Sequence, residues 1–212
     1  HIRRYISELS KGIGYTTDDY NSSTRISLLW AGLIEPRKNF GLLLEALKIL
    51  PPDIQWKLTV TGSGPLLAYW QNQVSQLGFQ DKIYFLGQLP YAEMYNCYQA
   101  SDIFVFPSLR EGTATVILEA MANRLPVIAL RLNGAATVLS DDCGMLVDVG
   151  SRKQMINDFA NAIISLSRDQ DLRRKIGEKG YERVRSFYTW EQRGEKMLSL
   201  YQKVLSATHS VT

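Results

Sequence analysis

Histidine and cysteine are scarce in this chain, and both scarcities exclude familiar kinds of site. Among its 212 residues there are two histidines and two cysteines. His1 and His209 lie at the two ends, so we expect no histidine general base and no Ser-His-Asp triad. Cys97 and Cys143 lack metal-ligand spacing, which argues against a zinc site or a disulfide framework. We therefore expect a reducing, cytoplasmic environment.

Long apolar runs and a strong net charge are also missing. The longest uncharged apolar stretches, near 27–34 and 102–107, are far shorter than the ~20 residues that a transmembrane helix needs. The N-terminal HIRRYISELS has no apolar core followed by a cleavage site, so no signal peptide is expected. The net charge of +3 is too small to indicate a nucleic-acid partner.

The sequence does contain a regular alternation of short apolar runs and helical patterns. Because parallel strands need crossover connections, this alternation predicts a Rossmann-like α/β fold, a parallel six-stranded sheet sandwiched by helices with a helical C-terminal tail. The predicted strands are 26–32, 57–62, 82–87, 102–107, 126–130 and 145–149, and each looks buried on both faces. The predicted helices are 39–50, 65–77, 91–100, 113–122, 151–167, 169–186 and 189–206.

Three regions follow from this alternation. Residues 1–24 are predicted to be a linker or a cut edge, 25–188 a Rossmann-like domain, and 189–212 a C-terminal helix and tail. Thr189 and Gln192 predict a capping box at the last helix. Amphipathic faces usually bury locally, so its apolar stripe is expected to pack on its own domain. The stripe consists of Trp190, Met197, Tyr201 and Leu205.

The loops after the strands are the places to expect a ligand, because open parallel sheets bind ligands beyond the carboxyl ends of their strands. GLIEPRKN places Arg37 and Lys38 at the start of a helix, where the helix dipole favours anions. They either face an anionic ligand or are two solvated surface cations. GSGP, with Gly62 and Gly64, suits close backbone approach to a phosphate or nucleoside, and equally suits a tight turn.

The segment REGTATVILEAM carries two glutamates, Glu111 and Glu119, around small and apolar residues. If 111–119 were all helical, their carboxylates would be ~12 Å apart along the axis, too far to share a proton or a metal. Backbone amides of residues 113–116 at the helix start would form an anion site. Glu119 needs hydrogen-bond donors such as two vicinal hydroxyls, unless it lies on an exposed strip or pairs with an internal arginine.

Taken together and in order, these motifs resemble the C-terminal half of family 4 retaining glycosyltransferases (group 1) of GT-B architecture. E-x7-E within PSLREGTATVILEAMANRLPVIA is preceded by GLIEPRKN, GSGP and KIYFLGQL. The resemblance runs from about Ile26 to Asp148, and the tail ending in FYTWEQ is similar as well. Any one of these motifs alone would be weak.

The resemblance implies that residues 25–188 are the nucleotide-sugar-binding domain, and 189–212 the crossover helix and tail, of an enzyme that moves a sugar from a UDP- or GDP-linked donor to a glycan or a lipid-linked acceptor. Lys38 and Glu111 are the implied catalytic residues, with Lys38 on the diphosphate and Glu111 facing the sugar. Glu119 would bind the ribose hydroxyls, and backbone around Leu89 the base. The other implied donor-binding residues are Gly32, Arg37, Gly62, Gly64, Ala114, Thr115 and Val116.

The resemblance also implies partners and cofactors. Such enzymes need no bound metal, so no cofactor is expected beyond the nucleoside-diphosphate sugar as substrate. The implied partner is an N-terminal acceptor-binding domain of the same parent protein, onto which the last helix crosses back. This domain alone is expected to transfer nothing, and the full enzyme could attach peripherally to the inner face of the membrane.

Two positions depart from the family pattern, and two other functions stay open. Leu33 stands where the family usually has a phosphate-binding arginine, which Arg37 could replace. Arg124 stands where a helix-ending glycine is common, and Asn123 is expected to adopt the left-handed conformation instead. A non-catalytic nucleotide-binding module is one alternative, favoured by Leu33. A sugar-nucleotide epimerase is the other, disfavoured because this half shows no acid/base residues for it.

Overall fold

The computed structural model describes residues 25–112 and 114–208, so the predicted linker at 1–24 lies outside the described residues. Six parallel strands form one sheet within this part of the chain, in the order β3-β2-β1-β4-β5-β6. Every predicted strand is confirmed. The strands are β1 (Arg25–Ala31), β2 (Gln55–Thr61), β3 (Ile83–Gly87), β4 (Ile103–Phe106), β5 (Val127–Leu130) and β6 (Met145–Val147).

Helices cover both faces of the sheet and make up the C-terminal region. The seven predicted helices are present, and a 3-10 turn at Pro36–Lys38 precedes the first. One further helix was not predicted, because its six residues, NGAATV, are too few to show a periodic pattern. The helices are α1 (Phe40–Lys48), α2 (Leu67–Gln76), α3 (Tyr91–Gln99), α4 (Thr115–Ala122), α5 (Asn133–Val138), α6 (Arg152–Arg168), α7 (Gln170–Phe187) and α8 (Trp190–Thr208).

The central strand β1 sends alternate side chains into two separate apolar clusters. Leu28 belongs to a cluster that includes Phe40 of α1 and Phe159 of α6. Its neighbour Leu29 belongs to a second cluster that includes Ile117 of α4. Successive side chains of a strand point to opposite faces, so the sheet is buried on both sides, as the apolar runs predicted.

Helix α4 begins later than predicted. Its first residue is Thr115, because Ala114 adopts a left-handed conformation with φ 43° that interrupts any helix from 111 onward. Residue 113, where the sequence pattern placed the helix start, lies outside the described residues. Glu111 is therefore on a loop, and the ~12 Å helical spacing between the two glutamates does not apply. The helix is only half-buried, since Thr115 and Ala122 are exposed.

The prediction for the end of α4 was wrong. Asn123 keeps φ −95°, and Arg124 takes the left-handed conformation with φ 57°. Contacts with α7 explain why an arginine tolerates this strain of about 1–2 kcal/mol. Its guanidinium lies 3.7 Å from the ring centroid of Tyr181 and its Nε lies 2.8 Å from Glu178 Oε2.

The C-terminal helix α8 does not pack on its own domain. Thr189 Oγ1 accepts a hydrogen bond from the Gln192 amide at 3.3 Å, as the capping box predicted. The apolar stripe nevertheless faces solvent, with Trp190 82% exposed and Tyr201 61% exposed. The prediction of local burial was therefore wrong. Among the described residues, no helix is both long and apolar enough to cross a membrane.

The contact between α7 and the end of α4 gives a stability prediction. A Cβ added at Gly177 would lie 2.0 Å from the Arg124 carbonyl oxygen, so Gly177→Ala must push the two helices apart. We expect a loss of about 1–3 kcal/mol in the free energy of unfolding, measured by urea denaturation. Gly194→Ala on α8 is the control, since nothing lies within 4 Å of its added Cβ. Equal stability of the two variants would contradict the close approach.

Candidate active site

The loops that follow β1 and β4 are joined at the carboxyl edge of the sheet. These strands are neighbours in the middle of the sheet, where the strand order switches direction. The Leu109 amide donates to the Arg37 carbonyl at 2.8 Å, and the Arg37 guanidinium donates to the Arg110 carbonyl at 3.0 Å. The structure thus brings together two of the predicted site segments at the point where open α/β sheets bind ligands.

Lys38 and Glu111, the two predicted catalytic residues, form a largely buried ion pair. Lys38 Nζ lies 2.5 Å from Glu111 Oε1, and their side chains are only 8% and 14% exposed. The ammonium group also lies 5.1 Å from the ring centroid of Phe106 at the end of β4. Lys38 ends the 3-10 turn that leads into α1, next to the helix start at which it was predicted. Burial strengthens such a pair, because water screens it poorly.

The ion pair is part of a larger polar cluster. Glu111 Oε1 also accepts a hydrogen bond from Ser108 Oγ at 2.7 Å and lies 3.3 Å from Arg37 Nη1. Arg37 Nε in turn lies 2.5 Å from Glu35 Oε1. The two cations of this cluster thus face two carboxylates, and the formal charges balance. An entering anion would meet cations that are already paired.

Packing within the protein itself explains why Gly62 and Gly64 are glycines. A Cβ at Gly62 would lie 1.9 Å from the Gly32 carbonyl oxygen, and one at Gly64 would lie 2.5 Å from the Ile34 carbonyl oxygen. Both glycines also have positive φ, at 116° and 158°, which suits residues without a Cβ. The Ile34 amide donates to the Ser63 carbonyl at 2.8 Å. Their absent side chains allow the loop after β2 to pack against the loop after β1.

The N-terminus of α4 follows the loop that carries the ion pair, with Thr115 four residues after Glu111. Ala114 is buried and left-handed, and the helix continues with exposed Thr115 and half-buried Val116. The first amides of any helix lack intrahelical acceptors and carry partial positive charge. Helix α5 holds the preceding loop, since the Gly134 amide donates to the Glu111 carbonyl at 3.4 Å. Positive charge from the helix end therefore adds to a cluster that is otherwise balanced.

Glu119 lies within α4, about one turn beyond its start, and is partly buried. Its Oε2 accepts a hydrogen bond from the Tyr98 hydroxyl at 2.8 Å. Glu119 is not on an exposed strip, and its side-chain partner in the structure is a tyrosine and not an arginine. A partly buried carboxylate can accept further hydrogen bonds at its other oxygen.

Leu89 lies further along the carboxyl edge. It follows β3, the outermost strand on this side of the sheet, and is half-buried. The Gly62 amide donates to the Gly87 carbonyl at 2.7 Å, which ties this loop to the loop after β2. The predicted site residues thus line a continuous edge from β3 to β4, with Leu89 two strands from β1.

Sequence reasoning missed several residues of this region. Ser108 had an available signal, because S-x-x-E places its hydroxyl within local reach of Glu111. Asn133 begins the unpredicted α5, and its amide nitrogen donates to the Leu109 carbonyl at 3.2 Å. Tyr98 had no local signal, since it meets Glu119 only through the packing of α3 against α4.

The opposite edge of the sheet carries a cavity of about 320 Å³. It is lined by residues such as Asp102 and Pro126, which precede β4 and β5, and by Arg173 of α7. None of the predicted site residues lines it. We assign the ligand site to the carboxyl edge, because the end of the strands and not the size of a cavity decides where such sheets bind ligands.

The burial of the Lys38–Glu111 pair predicts a strong energetic coupling. In a double-mutant cycle with Lys38→Met and Glu111→Gln, we expect a coupling of about 1–3 kcal/mol in the free energy of unfolding. Arg152 and Glu45 provide the control, since their atoms are also 2.5 Å apart but their side chains are 55% and 48% exposed. Their coupling should stay below about 1 kcal/mol. Equal couplings would show that burial does not strengthen the pair.

Known proteins are similar to this chain in fold and in sequence. Sucrose-phosphate synthase from Thermosynechococcus elongatus matches with a TM-score of 0.73 and 29% identity, covering 90% of this chain and 48% of that one. The C-terminal domain of the glycosyl transferase group 1 family protein LpcC from Francisella tularensis matches with a TM-score of 0.66 and 28% identity, covering 78% of this chain and 87% of that one. The chain therefore has the Rossmann-like fold of one half of a GT-B glycosyltransferase.

Sequence comparison agrees with the fold. A GDP-mannose-dependent monoacylated alpha-(1-6)-phosphatidylinositol monomannoside mannosyltransferase of Corynebacterium glutamicum is 32% identical over 180 residues, which cover 79% of this chain and 44% of that protein. The chain spans less than half the length of such curated relatives. The family model described as glycosyl transferases group 1 matches residues 19–183, well over half of the chain. The chain therefore belongs to the group 1 glycosyltransferases.

Proposed function

We propose that this chain is the donor-binding, C-terminal domain of a retaining glycosyltransferase that uses a UDP- or GDP-linked sugar. The observation that carries the proposal is the buried Lys38–Glu111 pair on the loop before α4 at the switch point of the sheet. A relative that is GDP-mannose-dependent and a structural match that is itself a C-terminal domain support it. The acceptor is a glycan or a lipid-linked molecule.

The donor diphosphate lies against Lys38 and the amides of Ala114, Thr115 and Val116. These groups stabilise the negative charge that grows on the leaving diphosphate as the glycosidic bond breaks, which is usually the dominant electrostatic contribution to catalysis. Arg37 is the second cation. It takes the role of the phosphate-binding arginine that the family usually has at the position of Leu33. We assign neutralisation of the diphosphate to these protein groups and not to a metal ion.

The rest of the donor follows the carboxyl edge. Glu111 faces the transferred sugar, Glu119 accepts hydrogen bonds from the ribose hydroxyls, and backbone around Leu89 contacts the base. The glycines at 32, 62 and 64 line the same groove. We assign retention of configuration to attack from the same face as the leaving group, assisted by the leaving phosphate, and assign no residue of this half as the nucleophile of a double displacement.

Nucleotide binding is tested by thermal stabilisation. A ligand that binds only the folded state stabilises it by RT ln(1 + [L]/Kd), or about 2.7 kcal/mol at a hundredfold excess over Kd. We expect millimolar UDP or GDP to raise the Tm of this domain, and Glu119→Ala to reduce the shift. If neither nucleotide raises the Tm, the donor-binding function is wrong.

The phosphate role of Lys38 can be tested by comparing a nucleoside diphosphate with the free nucleoside. Lys38→Ala should weaken binding of the nucleoside diphosphate and spare the free nucleoside, because Lys38 faces the phosphates. Lys48→Ala on the exposed end of α1 is the matched control and should change neither. If Lys38→Ala loses equal affinity for the two ligands, Lys38 does not bind the phosphates.

The exposed stripe of α8 fits a second domain of the parent protein. The chain spans less than half the length of its relatives, and the stripe from Trp190 to Leu205 is at least 51% exposed at each of its four apolar positions. Packing of this face on an N-terminal, acceptor-binding domain would bury it. The active site would then lie in the cleft between the two domains, where ligand sites are common.

This docking predicts a difference between two nearby residues of α8. In a protein that includes both domains, Tyr201→Glu should speed hydrogen exchange along α8, because it places a charge in the apolar contact. Ser199→Glu, about 160° around the helix from Tyr201, should leave exchange unchanged. Exchange in α8 that is equally fast with and without the second domain would contradict the docking.

A nucleotide-binding module without transfer activity is the second candidate. Leu33 is 49% exposed where an arginine is usual, and Arg37 and Lys38 are already matched by carboxylates. Both features weaken the attraction of a diphosphate. Tight nucleotide binding by the parent protein without transfer to any acceptor would favour this candidate.

A further inference from the structure

Tyr98 reaches Glu119 from a neighbouring helix and from inside the core. Its side chain is 3% exposed and belongs to the second apolar cluster, with its ring centroid 6.1 Å from that of Phe104. Its hydroxyl donates a hydrogen bond to Glu119 Oε2 at 2.8 Å. The ring is held by packing, so the position of the hydroxyl is set by the fold.

The Tyr98 hydroxyl is the donor in its hydrogen bond with Glu119. Burial raises the pKa of Tyr98 above its ordinary value, and the hydrogen bond to Glu119 raises it further. Tyr98 therefore stays protonated at neutral pH and donates a hydrogen bond to the carboxylate. A carboxylate accepts through two oxygens, so a donor on Oε2 restricts the orientation of the group and leaves Oε1 for a ligand.

We propose that Tyr98 is a positioning residue that holds the Glu119 carboxylate in the orientation that accepts the ribose hydroxyls of the donor. This role rests on the proposed function, because it requires Glu119 to bind ribose. A glutamate side chain has several rotatable bonds, and holding it before the ligand arrives lowers the entropy that binding costs. The same tyrosine would otherwise serve only to fill the core between α3 and β4.

A positioning role and a core-filling role for Tyr98 predict different affinities for ligands with and without ribose hydroxyls. Tyr98→Phe keeps the ring and removes only the hydroxyl. If Tyr98 positions Glu119, the variant should bind UDP or GDP about tenfold more weakly and bind the 2′,3′-dideoxy analogue almost as well as the wild type does, as expected for the loss of one hydrogen bond to a charged group. The ratio of the Kd for the dideoxy analogue to the Kd for the ribonucleotide should therefore fall toward one in this variant.

Two further variants sharpen the comparison, with Kd measured by calorimetry and Tm measured in parallel. Glu119→Gln sets the ratio expected when the carboxylate itself is lost. Tyr84→Phe is the matched control, since it removes a tyrosine hydroxyl that donates to the Asp81 carbonyl at 2.8 Å, far from Glu119 in the fold. It should keep the wild-type ratio.

The outcomes separate this inference from the function on which it rests. If the wild-type domain binds neither UDP nor GDP, the proposed function fails and this role fails with it. If the wild type prefers the ribonucleotide and Tyr98→Phe keeps the full preference, Tyr98 has no positioning role and the proposed function stands. A lower Tm with an unchanged ratio would show that the tyrosine only fills the core.

Discussion

The buried Lys38–Glu111 ion pair is the interaction on which the site depends. It joins the loop after β1 to the loop after β4, and a charge at either position without the other would be costly to bury. Backbone hydrogen bonds between the same two loops keep the pair in place. The strand order makes this meeting possible, because β1 and β4 lie side by side although two strands and three helices separate them along the chain.

Close backbone packing supports the pair from the other side. The loop after β2 approaches the loop after β1 so tightly that Gly62 and Gly64 have no room for a Cβ. These glycines therefore shape the groove even without a ligand, and their presence alone does not indicate phosphate. The cations and carboxylates of the cluster balance, which leaves the N-terminus of α4 as the source of net positive potential for an anionic donor.

The central position of α4 connects the two ends of the proposed donor site. Its N-terminus lies four residues after Glu111, and its body carries Glu119, which Tyr98 holds from α3. Its end is fixed to α7 through Arg124 and Gly177. Displacement of this one helix would change the proposed diphosphate, ribose and sugar contacts together. The stripe of α8 is exposed, and it is the face that we propose packs on a second domain.

The sequence by itself determined the six strands, seven of the eight helices found in the described residues, and the set of loops that form the site, because strand and helix periodicities and loop glycines are local signals. It also indicated the family through motifs in order. The start of α4, the left-handed Arg124, the partner of Glu119 and the exposure of α8 depended on contacts between segments far apart in the chain. Only the tertiary structure decided them, since no local pattern records which helix packs against which.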